Sequence, residues 1–385
     1  VCSPFYDYGG VNNVGLVRVY QINNNVITQI GQDIIGSSSF VIKNVAISGI
    51  GNRIAISSPG ASESVYIYDL SGSSWINTSS KNKEWSGNFG FDLALNYLGD
   101  KIVIGEPGNQ GGFNNANIGI AYIYIVNGWQ KIGNNITGSS GSGNIGSYIR
   151  NGYSVDIDSL GTNVVIGAPG TNGPRDAGVA KVYNWNGANW NYLYGLQGLG
   201  SDCNQGSSVS INYDGSIFSA GASHKSIYYS SNDDQRGYVQ VYENGTQNIW
   251  SEIAYIQGES KYDLAYTNEL SSNGKNIFIG SHKSDNNGQN SGNIRAFKYV
   301  NGNFIQIGQD INGINSDDFF GYSLATNKDG SRFVSSSYQN DSNGVDAGQV
   351  RVFSFQSAFC SQPLNITISE TTYGTDFISS CDSIA

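Results

Sequence analysis

The sequence predicts an all-β chain of repeated four-stranded sheets, a β-propeller, and three observations lead there. Six times an apolar strand runs into a Gly-containing turn and a second strand. A small-residue or Pro stop follows, then a polar loop, a Gly and a third strand; the clearest copy is Gly152–Ile157, Val164–Pro169 and Gly178–Tyr183. The copies start on the order of 50 residues apart, the spacing of propeller blades. With 51 Gly, 25 Tyr, 16 Phe and only 13% charged residues, the composition suits many short strands joined by turns. No stretch sustains the 3.6-residue period of an amphipathic helix. A lone meander with two apolar faces is unstable in water, so copies must pack face to face, and radial closure also hides most edges. Its core is then a series of small inter-blade cores, which lets 385 residues remain one domain without a linker or composition shift.

The N-terminal segment 15–34 reads as half a blade: a third strand, Gly15 to Tyr20, and a fourth, Val26 to Ile34. Its end, Gln29-Ile30-Gly31-Gln32-Asp33-Ile34, is echoed at Gln306 to Ile311, and nothing before it supplies first and second strands. Full copies then begin near Asn44, Gly90, Gly152, Gly206, Asp263 and Gly321, with third strands at Val65 to Tyr68, Gly119 to Ile125, Val179 to Tyr183, Gly237 to Tyr242, Gly292 to Tyr299 and Gly348 to Phe355. Seven third strands against six first-and-second pairs leave the blade number at seven, or six. Trp75, Trp129, Trp185, Trp190 and Trp250 recur near the fourth strands, as packing residues between blades would. Residues 1–358 form the expected propeller and 359–385 a β-prone tail. In the tail, Leu364 to Ser369 and Thr375 to Ser379 alternate apolar and polar around Tyr373-Gly374, the pattern of a hairpin. That hairpin either completes the seventh blade or adds strands to another subunit.

Two signatures recur in phase. Phe89-Gly90-Phe91, Asn151-Gly152-Tyr153 and Phe320-Gly321-Tyr322 open first strands, and Ser57-Ser58-Pro59, Gly105-Glu106-Pro107, Gly167-Ala168-Pro169 and Gly221-Ala222-Ser223 close second strands. Over about residues 15 to 355 this resembles the FG-GAP repeats of integrin α-subunit-like propellers, which implies an exported or surface protein. Such repeats often carry a D-x-D-x-D-G calcium cage in the first hairpin. The hairpins here depart from it: Asn96 to Asp100, Asn212 to Gly215, Ser272 to Gly274 and Asn327 to Gly330 hold one carboxylate or none. Calcium, and any other cofactor or metal, is therefore not expected. The polar loops Ser284 to Gly288 and Asn340 to Asp346 read as turn-forming Asx residues, with cation ligation the alternative.

A net charge of −10 with scattered Lys and Arg disfavours nucleic acid and anionic membranes, and no apolar run is long enough to span a bilayer. The absence of Met implies a lost initiator and signal segment, hence an extracellular, secreted or cell-surface protein. In that compartment Cys2, Cys203, Cys360 and Cys381, which lack metal-ligand spacing, read as disulfides. The favoured pairing is Cys360 with Cys381, a loop closure contributing about 3 kcal/mol, which leaves Cys2 with Cys203. Sequons stand at Asn77, Asn135, Asn244, Asn340 and Asn365, a number chance alone explains, although all but Asn365 fall in loops or strand ends.

Catalytic constellations are absent from the sequence: there is no G-x-S-x-G elbow, P-loop, HExxH or Cys/His pair. His224 and His282 share the tripeptide Ser-His-Lys in consecutive copies, as a rim pair or as simple repeat duplication. Asp92, Asp156 and Asp263 are assigned to first strands, where axial carboxylates would serve a glycosidase, but they are dispersed. Tyr6, Tyr8, Tyr228, Tyr229 and Tyr338 are candidates to stack on sugars or proteins. The expected function is a non-catalytic structural or adhesive propeller, a self-assembling filament or coat subunit joined through its tail or a blade edge. The alternative is a monomeric module binding glycan or surface protein, and an axial-site carbohydrate enzyme is the third option.

Overall fold

The computed structural model describes residues 1–23, 26–59, 63–84, 87–108, 118–138, 150–170, 177–200, 203–223, 236–260, 263–342, 347–357 and 366–372. These form the seven antiparallel blades of a β-propeller. In chain order the blades are β1 (Cys2–Ser3), β2 (Leu16–Asn23) and β3 (Val26–Ile35); β4 (Asn44–Ile47), β5 (Arg53–Ser58), β6 (Ser64–Ser71) and β7 (Ser74–Asn82); and β8 (Leu93–Leu95), β9 (Lys101–Glu106), β10 (Ile120–Ile125), β11 (Gln130–Lys131) and β12 (Ile136–Thr137). The fourth has β13 (Ser154–Ile157), β14 (Asn163–Ala168), β15 (Val179–Trp185) and β16 (Trp190–Gln197); the fifth β17 (Gln205–Ile211), β18 (Ile217–Ala222), β19 (Tyr238–Asn244) and β20 (Trp250–Gln257). The sixth has β21 (Thr267–Leu270), β22 (Asn276–Ser281), β23 (Asn293–Val300), β24 (Asn303–Gln306) and β25 (Ile311–Asn312), and the seventh β26 (Leu324–Thr326), β27 (Arg332–Ser337), β28 (Gln349–Ser357) and β29 (Ile366–Thr372). Each is a meander; in the third and sixth blades two short segments share the outer position, both pairing with the third strand.

Both chain ends differ from expectation. Cys2 and Ser3 pair with Val17 and Leu16, so the N-terminal blade has a short inner strand that two residues of ordinary composition did not announce. At the other end β29 lies antiparallel on β28, from Arg351 opposite Thr372 to Ser357 opposite Ile366. The first stretch of the tail is thus the outer strand of the last blade; the remainder of the expected hairpin lies outside the described residues.

The chain divides into two compact units, Val1–Gly198 with Asn204–Gly206, and Leu199–Cys203 with Ser207–Ala385. Within each, strand alternation splits side chains between two neighbouring cores. In the first unit Ile102 and Ile104 of β9 pack with Val65, Ile67 and Phe89, while Val103 between them faces the opposite way, onto Val155, Val164 and Trp190. In the second unit β22 repeats the pattern: Ile277 and Ile279 join Val239 and Val241, and Phe278 joins Phe320, Phe333 and Phe353.

The recurring glycines join consecutive blades. Gly152 has φ +86°, and a Cβ there would lie 2.6 Å from Ile120 O and 3.0 Å from Gly105 Cα, the second-strand glycine of the blade before. Gly321 does the same in the second unit: φ is +88°, with Asn293 O at 2.5 Å and Gly280 Cα at 3.2 Å from the added atom. Main chain packs on main chain, and parallel bridges Gly119 to Asn151 and Gly292 to Phe320 extend each joint.

The hairpins between first and second strands also interlock. Ile50 N donates to Tyr97 O at 3.1 Å, Tyr97 N to Ser159 O at 3.2 Å, and, in the second unit, Tyr213 N to Ser272 O at 2.7 Å. Their carboxylates are occupied locally: buried Asp158 accepts Thr162 N at 2.7 Å, Thr162 Oγ1 at 3.0 Å and Asn163 Nδ2 at 2.6 Å.

The expected Cys2–Cys203 bridge is not formed. Cys2 and Cys203 are both free thiols. Cys203 is buried against Ala222 and Tyr238, and burial of Cys2 beside the Val17 core pushes its thiol up to about 11. Cys360 and Cys381 lie outside the described residues.

Candidate aromatic binding site

The residue after the first-strand glycine is where surface aromatics gather. The backbone turn at that glycine sets the next side chain beside its counterpart on the following blade. Phe91 and Tyr153 meet in the first unit with centroids 4.9 Å apart, and Tyr266 and Tyr322 stack at 6.2 Å in the second. Ala265 holds the glycine position before Tyr266, with φ 39°.

The second-unit pair belongs to a larger cluster. His282 is only 6% exposed and sits edge-on to Tyr266 at 4.8 Å and to Tyr322 at 5.4 Å, with Phe319 at 6.1 Å. Tyr338 closes the group, 4.6 Å from Tyr322 and 5.3 Å from Phe319. Tyr322 and Tyr338 remain 43% and 37% exposed, so the cluster has an open side. Phe319 holds φ 54°, a left-handed conformation costly for a bulky residue, and hydrogen bonds of 3.1 Å from its N–H to Asn290 O and 3.0 Å from Phe320 N to Ser291 O fix it there. Desolvation, with the nearby Lys283 charge, pushes the imidazole down to about 4 and keeps it neutral at pH 7. Among the described residues its Nδ1 has no hydrogen-bond partner, and neither do the buried Ser281 and Ser284 hydroxyls beside it.

The carboxylates do not converge. Asp92, just before β8, is held by Val155 N at 2.8 Å, Leu93 N at 2.9 Å and Asn44 Nδ2 at 3.2 Å, which ties three successive inner strands together. Desolvation outweighs these bonds and raises it to about 6. Asp156 on β13 accepts Ile157 N at 2.8 Å. Asp263 is not on an inner strand; it precedes β21 and caps its own loop, accepting Ser260 N at 2.8 Å. Each carboxylate holds a main-chain N–H, and Asp263 also lies near Glu259, whose carboxyl is held above its usual range by desolvation first, then by Asp310 and Asp263.

Of the other candidate residues, Trp75 and Trp190 are buried between blades, and their indole N–H groups donate to Ile30 O and Ile132 O at 2.9 and 3.0 Å. Trp250 packs on Phe218 at 5.1 Å, Trp129 on Tyr124 at 5.8 Å and Trp185 on Trp190 at 5.4 Å. Tyr8 is exposed and Tyr6 half-buried; His224, Tyr228 and Tyr229 lie outside the described residues. Among the sequons, Asn77 is exposed on β7, Asn135 and Asn244 are half-buried, and Asn365 lies outside the described residues. Asn340 is 1% exposed and donates Nδ2 to Asp318 Oδ2 at 2.9 Å. The nitrogen a glycan would use is engaged inside the fold, which makes Asn340 a structural asparagine. In the neighbouring loop Asp285 Oδ1 accepts Asn290 N at 2.8 Å, and Asn287 Nδ2 donates to Gly313 O at 2.8 Å.

Sequence reasoning identified His282 and Tyr338 but missed Tyr266, Phe319 and Tyr322 as their neighbours. The available signal was the aromatic after the glycine in Phe89-Gly90-Phe91, Asn151-Gly152-Tyr153 and Phe320-Gly321-Tyr322.

Comparison with known proteins supplies the fold and no more. No protein-family profile and no curated protein matches the chain. Among solved structures it is similar to a functionally unknown protein from Desulfotomaculum acetoxidans DSM 771, with a TM-score of 0.56 and 10% identity over 88% of this chain and 89% of that one.

Proposed function

We propose that the protein is a non-catalytic adhesive β-propeller of the extracellular FG-GAP kind, contacting glycan or surface protein through its exposed aromatic clusters. The observation that carries this reading is the cluster of Tyr266, Phe319, Tyr322 and Tyr338 around a buried, neutral His282. Rigid aromatics open to solvent give contact area at little entropic cost. The repeated glycine joints agree with the FG-GAP resemblance, because they give both signature glycines one mechanical reason. Binding of labelled full-length protein to a glycan and surface-protein array tests it: selective capture is expected, and capture of nothing would end the reading.

A second reading is self-assembly, with the protein as the subunit of a filament or coat. It is favoured by the first blade, which among the described residues has three strands where every other blade has four or five, leaving a strand position that another copy could supply. Electron microscopy of the purified chain separates the two, since polymers support assembly and discrete particles oppose it.

A further inference from the structure

We propose that the corner between Tyr322 and Tyr338 is a binding site for a neutral pyranose, with the His282 imidazole accepting a sugar hydroxyl at its floor. The inference rests on the adhesive reading and deepens it by fixing the site and the ligand class. The two exposed rings meet at 4.6 Å with their planes 56° apart. A flat nucleobase stacks on one face at a time, whereas the puckered C–H face of a pyranose lies against two inclined faces at once. A net charge of −10 opposes phosphates and other anions. Lys283, adjoining the floor residue, opposes a cation.

The floor supplies the polar part. The His282 ring lies edge-on to Tyr266 and Tyr322, and its buried Nδ1 lacks a hydrogen-bond partner among the described residues. A buried imidazole acceptor left without a donor calls for a reason. Ligand sites pair apolar walls with a few placed polar atoms, and a sugar brings hydroxyls that fit a neutral imidazole acceptor. The cost of holding Phe319 at φ 54° is explained in the same way: that backbone presses its ring onto His282 and Tyr338 and fixes the walls.

The test is titration of the full-length protein with the methyl glycosides of glucose, galactose, mannose and N-acetylglucosamine. Binding is followed by saturation-transfer NMR and by tyrosine fluorescence. Saturable binding of at least one glycoside is expected. Tyr322→Ala and Tyr338→Ala should each weaken it about tenfold or more, Tyr338→Phe should weaken it less than threefold, and His282→Leu should abolish hydroxyl-dependent selectivity among the four sugars. If Tyr338→Ala fails to fold, Tyr338→Phe and His282→Leu still decide. No saturation by any glycoside, or equal binding by the Tyr322→Ala, Tyr338→Ala double variant, overturns the site; saturation by tetramethylammonium instead overturns the ligand class. Array capture that survives in the double variant leaves the adhesive reading standing and this site refuted, whereas loss of all capture by the unaltered protein refutes both.

Discussion

Gly152 shows how much one hydrogen atom in place of a methyl group decides. Its backbone is left-handed, and the space where a Cβ would go is filled by Ile120 O and Gly105 Cα. Gly128 has a similar φ, +83°, with nothing within 4 Å. Gly128→Ala should therefore carry only the conformational penalty, about 1 kcal/mol, while Gly152→Ala adds overpacking and reaches about 3 kcal/mol or more, read as the difference in denaturant midpoints. The titrating residues have opposite signs. His282 stays neutral in the fold down to about 4 while the unfolded imidazole protonates from 6.5, so acidification through that window destabilises, and His282→Gln should flatten the loss. Asp92, raised from 3.8 to about 6, takes up its proton in the fold first, so acidification over that range stabilises, and Asp92→Asn should remove the gain. Melting temperatures of the variants between pH 7 and pH 4 check both signs. The glycines were legible because the same residue recurs in phase, and His282 was legible as a repeat feature. Its environment was not, because Phe319 and Tyr338 come from loops whose contacts follow no sequence period.

At the scale of the element, second and third strands were the easiest to read. Apolar residues run through them without alternation because each strand faces one core on either side: Ile102, Val103 and Ile104 all point into protein. Fourth strands hid better. In β7 only Trp75 is fully buried and most other positions are exposed, so the outer strand announces itself by one tryptophan. That tryptophan is clamped as well as buried: Gln32 Nε2 donates to Trp75 O at 2.7 Å, and Trp75 N to Gln32 Oε1 at 3.0 Å. What the two copies of the Gln-Ile-Gly-Gln-Asp-Ile stretch share is internal: Gln29 Nε2 donates to Asp33 Oδ1 at 2.9 Å, and Gln306 Nε2 to Asp310 Oδ1 at 2.8 Å. Trp75→Phe should cost about 1–3 kcal/mol by stranding Ile30 O, and Trp75→Ala about 3–5 kcal/mol through the added cavity. Chemical denaturation of the two variants would show whether hydrogen bond and volume separate in this way.

At the scale of the whole molecule, seven third strands against six first-and-second pairs left seven blades or six, and seven are present. The fate of the tail was illegible because β29 carries neither repeat signature, and strand pairing through the main chain leaves little trace in side chains. Its position sets the sign of an experiment. Deleting residues 358–385 leaves β28 as an open edge from Arg351 to Ser357, so the truncated chain should self-associate in light scattering and melt at a lower temperature. A polymeric full-length protein that becomes a stable monomer on the same deletion would instead place the tail between copies.

The glycine joints carry one further consequence. A hinge plate built from main-chain atoms is indifferent to the loop residues on either side of it, which leaves the loops free to drift while the seating of one sheet on the next is kept. Transplanting the β8–β12 segment into the place of a neighbour would keep the main-chain joint only where both glycines are retained, and its fit would still require cores complementary to Ile102, Val103 and Ile104 on either side.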